Sequence, residues 1–197
     1  ANELATDTQK PFLEVFEKLI VRYEEIFSDP LQVMGDLLPI SVYVQDYDRV
    51  NNEDTIAKTE MEEKVALVKL YPGVTKEVIH HYVDNNYEGI ILEGTGLGHT
   101  PNKLIDPLER AIEEGIQIYM SSQCLNGRTN LNVYSTGRKL KKAGVIPLED
   151  ILPETAYVKL MWVLGQTKNK KEAEKLMNEN LAGEITPYTK PNTYNTY

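Results

Sequence analysis

Three short, mainly apolar runs constrain the fold of this chain more than any other feature. They lie at residues 65–68, 89–92 and 116–120. The first run contains no polar residue, which is typical of a strand that is covered on both faces. Segments long enough for crossover helices separate the runs, so the sequence predicts βαβ units with right-handed connections and a parallel sheet.

Apolar periodicity and capping residues place the helices. Asp106 is predicted to cap one helix, with Pro107 in its first turn, Glu109 bonding back to Asp106, and Gly115 closing it. A brief fourth strand is predicted at residues 145–147. The other predicted helices cover residues 75–84, 137–143, 153 to about 165, and 168–181. We therefore expect an α/β three-layer sandwich, with about four parallel strands flanked by helices.

The chain divides into four predicted parts. An amino-terminal helical segment occupies residues 1–39, with one apolar helical face over residues 12–27. Residues 40–63, which begin with a short alternating stretch, are predicted to be a linker. The α/β domain is predicted at residues 64–184, followed by a flexible tail at residues 185–197.

Composition excludes several classes of protein. The chain has 197 residues, a formal net charge of −9 and a single cysteine. One cysteine cannot form an intramolecular disulfide, so a reducing compartment, the cytoplasm, is expected. The acidic balance argues against a surface that coats nucleic acid, although it allows a local basic face. No apolar run approaches the ~20 residues that span a bilayer, and no metal-ligand spacing occurs, so neither a membrane association nor a metal site is predicted.

The glycine-rich loop at residues 94–98 invites a phosphate-binding interpretation, which its surroundings disfavour. Backbone amides of such loops can approach phosphate groups. Here the acidic Glu93 stands at the entrance, and no Lys-Ser/Thr pair follows. A tight loop at a subunit or substrate contact is the favoured interpretation, and an ordinary turn is the alternative.

Cys124 and the scattered acids do not define an active site. A catalytic cysteine needs a nearby base, and the spacing selects none of His80, His81 and His99. A structural, partly buried thiol is therefore expected. The candidate acid–base groups that sequence alone cannot pair are Glu93, Asp150 and Glu154.

A basic cluster lies near the carboxyl end of the helix predicted at residues 137–143. It consists of Arg138, Lys139, Lys141 and Lys142. Cations at this position are favoured by the helix dipole, so a solvated helix end is one interpretation. A contact with RNA phosphates is the other, and it makes these four residues candidate tRNA contacts.

Several ordered blocks carry a resemblance to a known family. They are residues 71–73, 93–98, 122–124, 134–137, 143–147 and 153–160. On these blocks, residues 64–185 resemble the C-terminal domain of the type I L-asparaginase family. Residues 94–99, 123–128, 132–138 and 180–185 resemble more narrowly its archaeal branch, the D subunits of glutamyl-tRNA(Gln) amidotransferases.

The resemblance implies a function and partners. Such a D subunit releases ammonia from asparagine or glutamine. The ammonia is then used to convert Glu-tRNA(Gln) to Gln-tRNA(Gln). The implied partner is the E subunit of the amidotransferase, where ATP and magnesium are expected; no cofactor is expected in this chain. The resemblance also implies self-association, as a homodimer within a heterotetramer, and contact with tRNA through the complex.

The nucleophile of the family is missing from the sequence. Family members use threonines in a Thr-Gly-Gly-Thr and a Gly-Thr-Asp-Thr motif of an N-terminal domain, and neither motif occurs here. A threonine needs a base to become a nucleophile, and nothing in the sequence supplies one for Thr95 or Thr136. We therefore expect an inactive isolated chain that acts as a structural and oligomerisation domain.

In the family, two C-terminal-domain loops reach the active site of the neighbouring subunit. The residues at those positions here are Gly96, Leu97, Gly98, Tyr134, Ser135 and Thr136. Plain asparaginases usually have asparagine where Leu97 stands, which favours the amidotransferase branch. The alternatives are a fragment of a plain type I L-asparaginase and a non-catalytic dimerisation module.

Overall fold

The computed structural model of the chain describes residues 56–188. The helix predicted at residues 12–27, the first part of the predicted linker, and the tail from residue 189 lie outside these residues. Residues 57–188 belong to one compact unit. No helix within residues 56–188 is long and apolar enough to cross a bilayer.

A four-stranded parallel sheet forms the centre of this unit, as predicted. Its strands are β1 (Val65–Lys69), β2 (Gly89–Gly94), β3 (Gln117–Ser122) and β4 (Ile146–Pro147). They lie side by side in chain order, and every neighbouring pair is parallel. The carboxyl ends of the strands therefore meet at one edge of the sheet, together with the loops that follow them.

Helices cover both faces of the sheet and complete the predicted three layers. They are α1 (Glu77–Asp84), α2 (Ile105–Glu113), α3 (Ser135–Ala143), α4 (Pro153–Gln166) and α5 (Lys170–Asn178). Residues of α1, α2 and α3 share one core cluster with Ile90 and Leu92, whereas α4 and α5 share a second cluster with Ile91. Successive residues of β2 thus enter opposite cores, which explains why its sequence is apolar without alternation.

The capping prediction for α2 is wrong. A short 3₁₀ turn, Asn102–Leu104, leads directly into the helix, and Leu104 occupies the cap position without a side-chain hydrogen bond. Leu104 is fully buried, so packing moves the start of the helix ahead of the polar residue expected to cap it. Asp106 lies in the first turn instead, where its charge still suits the helix dipole.

The predicted carboxyl ends of α2 and α3 are confirmed. Gly115 and Gly144 follow these helices with φ of 105° and 108°, a conformation that a side chain disfavours. The amide of Gly144 donates to the carbonyl oxygens of Leu140 and Lys141, which would otherwise lack a partner at the helix end.

A buried ion pair holds the chain after α5 against α4. Nζ of Lys159 lies 2.5 Å from Oε1 of Glu184, and both side chains are less than a tenth exposed. Burial alone would raise the pKa of the Glu184 carboxyl, but hydrogen bonds from Lys159 and from the backbone amides of Leu181 and Ala182 lower it to about 2. The next residue, Ile185, packs against the α4–α5 core.

Candidate functional site

Gln123 ties together the carboxyl ends of three strands. Its backbone amide donates to the carbonyl oxygen of Gly94 at 2.8 Å, which continues the sheet beyond β3. Its side-chain Nε2 donates to the carbonyl oxygens of Leu70 at 2.5 Å and Glu93 at 2.8 Å. Both hydrogens of the amide group are thus used, and a carboxylate at this position would face two carbonyls with no hydrogen to donate.

The glycine loop after β2 is a tight loop closed on itself by backbone hydrogen bonds. Backbone hydrogen bonds join Thr95 and His99 in both directions, at 3.2 Å and 2.8 Å. Oγ of Ser122 donates to the carbonyl oxygen of Gly96 at 2.6 Å, which fixes the loop to the end of β3. Gly98 has a φ of 101°, and a Cβ atom there would lie 2.8 Å from Cγ of Met120. The loop therefore requires glycine at this residue.

The two loops expected at a neighbouring active site lie side by side. The amide of Asn130 donates to the carbonyl oxygen of Leu97 at 2.9 Å. Nδ1 of His99 lies 3.1 Å from Oγ1 of Thr136, and its ring contacts the Tyr134 ring with centroids 4.4 Å apart. These contacts join the first loop (Gly96, Leu97 and Gly98) to the second (Tyr134, Ser135 and Thr136). The Tyr134 side chain is about half exposed on the surface that they form.

The basic cluster on α3 divides into two pairs. Arg138 donates through Nη1 to the carbonyl oxygens of Asn132 and Val133, at 3.3 Å and 3.2 Å. Nζ of Lys141 donates to the side chain of Asn132 at 3.0 Å, so this pair holds the loop before α3. Lys139 and Lys142 are exposed, and neither side chain has a hydrogen bond or ion pair within residues 56–188.

Cys124 is exposed, and the prediction of a partly buried thiol is wrong. It lies in a turn at the sheet edge where the strands have their carboxyl ends, which we call the rim together with the loops there (residues 71–73, 94–100 and 121–136). In this turn the amide of Gly127 donates to the carbonyl oxygen of Cys124. No histidine within residues 56–188 hydrogen-bonds to this thiol, since His80 pairs with Arg110, His81 with Asn85, and His99 with Thr136. The exposed thiol thus lacks the base that a cysteine nucleophile needs.

The three candidate acids are not brought together. Glu93 forms an ion pair with Nζ of Lys69 at 2.6 Å, and Asp150 lies 3.2 Å from Nη2 of Arg128. Glu154 lies in the first turn of α4. No group of three or more potential metal-binding side chains occurs in the described part of the chain.

Sequence reasoning missed the role of Arg128. Its guanidinium lies 2.7 Å from the carboxylate of Glu149, and it donates to the carbonyl oxygen of Thr186 at 2.6 Å. The amide of Thr129 also donates to the carbonyl oxygen of Glu149, at 2.7 Å. The loop after β3 is thus fixed to the turn before α4 and to the chain near residue 186. The only signal in the sequence is that Arg128 is a single basic residue in the polar loop after β3.

Comparison with known proteins gives one consistent result. Residues 64–177 match the family described as Glutaminase/Asparaginase C-terminal domain. The chain is 62% identical over 150 residues to the glutamyl-tRNA(Gln) amidotransferase D subunit of Pyrococcus abyssi, and 48% identical over 150 residues to that of Methanothermobacter thermautotrophicus. These matches cover 76% of this chain and 34% of each relative, so the chain spans about a third of their length.

Solved structures agree with this result. The thermostable L-asparaginase from Thermococcus kodakarensis superposes with a TM-score of 0.66 at 34% identity, over 73% of this chain and 44% of that one. L-asparaginase I from Vibrio cholerae gives a TM-score of 0.64 at 31% identity, over 72% and 43% of the two chains.

Proposed function

The chain belongs to the Glutaminase/Asparaginase C-terminal domain family, and we propose that it is the C-terminal structural and self-associating part of an amidotransferase D subunit. The whole D subunit releases ammonia from asparagine or glutamine for conversion of Glu-tRNA(Gln) to Gln-tRNA(Gln). The names of the relatives at up to 62% identity support this assignment over a plain asparaginase, since the L-asparaginase structures are only 34% and 31% identical.

The contact between the two rim loops carries the proposal. A surface that is offered to a neighbouring active site must keep its shape before the neighbour binds, because ordering loops on binding weakens association. The bonds from Asn130 to Leu97 and from His99 to Thr136 hold the two loops together within the chain. The side chain at the tip of the glycine loop is Leu97, where an asparaginase would present an amide.

Four exposed apolar side chains at the same rim support self-association there. They are Tyr71, Leu125, Val133 and Tyr134, each between 49% and 75% exposed. Apolar side chains that are buried on association are a main source of its free energy. We propose that this rim contacts a second copy of the D subunit.

The nucleophile belongs to another part of the D subunit in this proposal. The sequence contains neither threonine motif of the family. Among residues 56–188, Thr136 is the threonine whose hydroxyl lies near a histidine. Its Oγ1 is 3.1 Å from Nδ1 of His99, a distance at which a base can activate a nucleophile. No carboxylate hydrogen-bonds to His99 within residues 56–188, so the third group of a triad is missing. We assign Thr136 a positioning role.

The partner assignments follow from the same proposal. In this proposal the E subunit activates the tRNA-bound glutamate with ATP and magnesium in the cytoplasm, and neither cofactor is assigned to this chain. Of the four basic candidates for tRNA contact, Lys139 and Lys142 are the ones left unengaged within residues 56–188, whereas Arg138 and Lys141 bind the loop at Asn132. With a net charge of −9, the chain is proposed to contact tRNA only locally.

A chimera tests the proposed function. Residues 57–188 of this chain replace the matched third of the Pyrococcus abyssi relative, and the chimera is produced together with the E subunit. We expect the chimera to release ammonia from glutamine or asparagine and to amidate Glu-tRNA(Gln), and the 197-residue chain alone to release none. Asparagine hydrolysis without binding to the E subunit would support the asparaginase alternative. A folded, dimeric and inactive chimera would support the dimerisation module instead.

A further inference from the structure

Residues 58–62 lie as a strap against α4, and side chains of that helix donate to the backbone of the strap. The indole Nε1 of Trp162 donates to the carbonyl oxygen of Lys58 at 3.1 Å. Nε2 of Gln166 donates to the carbonyl oxygen of Glu60 at 2.9 Å. Four helical residues advance by about 6 Å, and two extended residues advance by about 6.6 Å, so the spacing of the donors suits two alternate carbonyls of an extended chain.

Gly165 lets the strap approach the helix closely. A Cβ atom at this residue would collide with the carbonyl oxygen of Glu60, and it would lie 2.6 Å from the carbonyl carbon of Glu60 and 2.8 Å from the amide nitrogen of Met61. All three are backbone atoms, so no side-chain rotation could relieve the collision. Glycine is a poor helix former, and its place in the last turn of α4 is explained by this approach.

The far end of the strap is fixed by Glu62. Its amide donates to the carbonyl oxygen of Met161 at 2.8 Å. Its carboxylate lies 2.8 Å from Nζ of Lys168 and accepts from the amide of Lys64 at 2.9 Å. The strap is therefore bound at both ends and in the middle, immediately before the chain enters β1.

Over residues 58–60 the strap is recognised through its backbone, and at Glu62 through both the backbone amide and the carboxylate. The side chains of Lys58, Thr59 and Glu60 are exposed, and the contacts of these residues with α4 use carbonyl oxygens. Side-chain donors aimed at two alternate carbonyls accept almost any sequence at residues 58–60, but they require an extended course and an open groove at Gly165.

We infer that the face of α4 formed by Trp162, Gly165 and Gln166, together with Lys168 just beyond the helix, is a docking surface for an extended peptide backbone, and that its occupant is residues 58–62 of the same chain. This surface holds the segment before β1 in one position against α4. The inference is independent of the proposed amidotransferase role, because it uses none of the rim residues.

The single tryptophan of the chain makes the docked state measurable, since Trp162 is itself a donor to the strap. In the 197-residue chain, we expect slow tryptic cleavage after Lys58, a protected amide at Glu62 in hydrogen exchange, and weak quenching of Trp162 fluorescence by acrylamide. Gly165→Ala is expected to speed cleavage after Lys58 about tenfold or more, because cleavage tracks the population of the open segment. The melting temperature should not fall with it, because alanine favours the helix.

Val158→Ala is the matched control, because Val158 is an exposed residue of the same helix and is also replaced by alanine. It is expected to leave all three readouts at their wild-type values. Gln166→Glu is the second test, because it replaces a donor by a carboxylate facing the carbonyl oxygen of Glu60 without filling the groove. Cleavage and quenching that remain at wild-type values in both Gly165→Ala and Gln166→Glu would overturn the inference.

Discussion

Nδ1 of His99 lies 3.1 Å from Oγ1 of Thr136, although 37 residues separate them in the chain. The first follows the glycine loop after β2, and the second lies in the first turn of α3. The Tyr134 ring against His99 adds an aromatic contact to this hydrogen bond. The two rim loops therefore form one surface, and a change in either is expected to disturb the other.

Thr136→Val removes the hydroxyl and keeps the shape of the side chain. If Thr136 only positions His99, we expect the chimera to lose about 2- to 10-fold in kcat/KM for ammonia release, the equivalent of one hydrogen bond of roughly 0.5–1.5 kcal/mol. Steady-state ammonia release by the chimera measures this effect. Thr136→Ser, which keeps the hydroxyl, should retain most of the activity.

A loss of three or more orders of magnitude in Thr136→Val would contradict the positioning role, because losses of that size accompany removal of a nucleophile. His99→Gln provides a second check. Its amide can still reach the Thr136 hydroxyl but is not a base, so it should behave like a positioning variant.

Gln123→Glu is expected to destabilise the chain by about 1–3 kcal/mol. The carboxylate would leave the carbonyl oxygens of Leu70 and Glu93 without their shared donor, and a lost partner for a buried group costs roughly this much. Urea denaturation of the 197-residue chain measures the free energy of unfolding. Gln123→Met, which has a similar length without either polar atom, separates the lost hydrogen bonds from the repulsion between oxygens.

The Gln123 substitutions should also loosen the glycine loop. Hydrogen exchange at the amides of Gly98 and His99, which donate to the carbonyl oxygen of Thr95, should become faster than in the wild type. Unchanged stability and unchanged exchange in Gln123→Glu would show that this side chain does not hold the three strand ends.

Glu184 predicts a stability that falls in acid. The pKa of its carboxyl is about 2 in the folded chain against an ordinary value of 4.5, so the folded state binds this proton more weakly than the unfolded state. The contribution is present above pH 4.5 and is lost as the pH falls from 4.5 towards 2, by at most about 3 kcal/mol. Urea denaturation between pH 2 and 7 should show this loss, and Glu184→Gln should flatten it.

Lys159 provides the control for this pH dependence. Lys159→Met leaves the buried Glu184 carboxylate without its cation, at an expected cost of roughly 3–5 kcal/mol near neutral pH. The double variant Lys159→Met with Glu184→Gln removes both charges and should regain much of that loss. Equal stability of Lys159→Met and the wild type would refute the buried pair.

Lys139 and Lys142 are expected to contact tRNA phosphates within the complex. Removing both with alanine should lower the slope of log affinity against log salt by up to about 2, because each released phosphate contact contributes close to one. Filter binding of tRNA(Gln) to the complex of the chimera and the E subunit, at several salt concentrations, measures the slope. Lys171→Ala, on the helix α5 that covers the other sheet face, is the control. An unchanged slope in the double variant would remove α3 from the tRNA surface.

The sheet and its helices were predictable because their physical cause is local. Apolar runs such as residues 89–92 mark strands buried on both faces, and glycine at Gly144 marks a helix end that needs a positive φ. The loops that follow the strands lie at one edge because all four strands are parallel. The start of α2 was missed because the burial of Leu104, a tertiary effect, outweighs the polar cap signal at Asp106.

The contacts that hold the site were not predictable, because they join residues distant in the chain. Nothing near Gln123 indicates that its side chain reaches Leu70, 53 residues away. The predicted end of α4 near Gly165 agrees with the structure within one residue, but the sequence does not show that Gly165 admits the strap at Glu60. Such roles depend on which backbone atoms a fold brings together, and a single sequence does not carry that information.

Subunit mixing tests the central claim most directly, namely that the rim loops of this chain act in the active site of a neighbouring subunit. One chimera carries an inactivated threonine nucleophile in its N-terminal domain, and the other carries Leu97→Arg at the rim. Each alone should be inactive. Refolded together in equal amounts, they should regain about a quarter of the ammonia release of the unmodified chimera, because half of the dimers are mixed and each of these has one complete site. No recovery in a mixture whose hybrid dimers are verified by mass would contradict the claim.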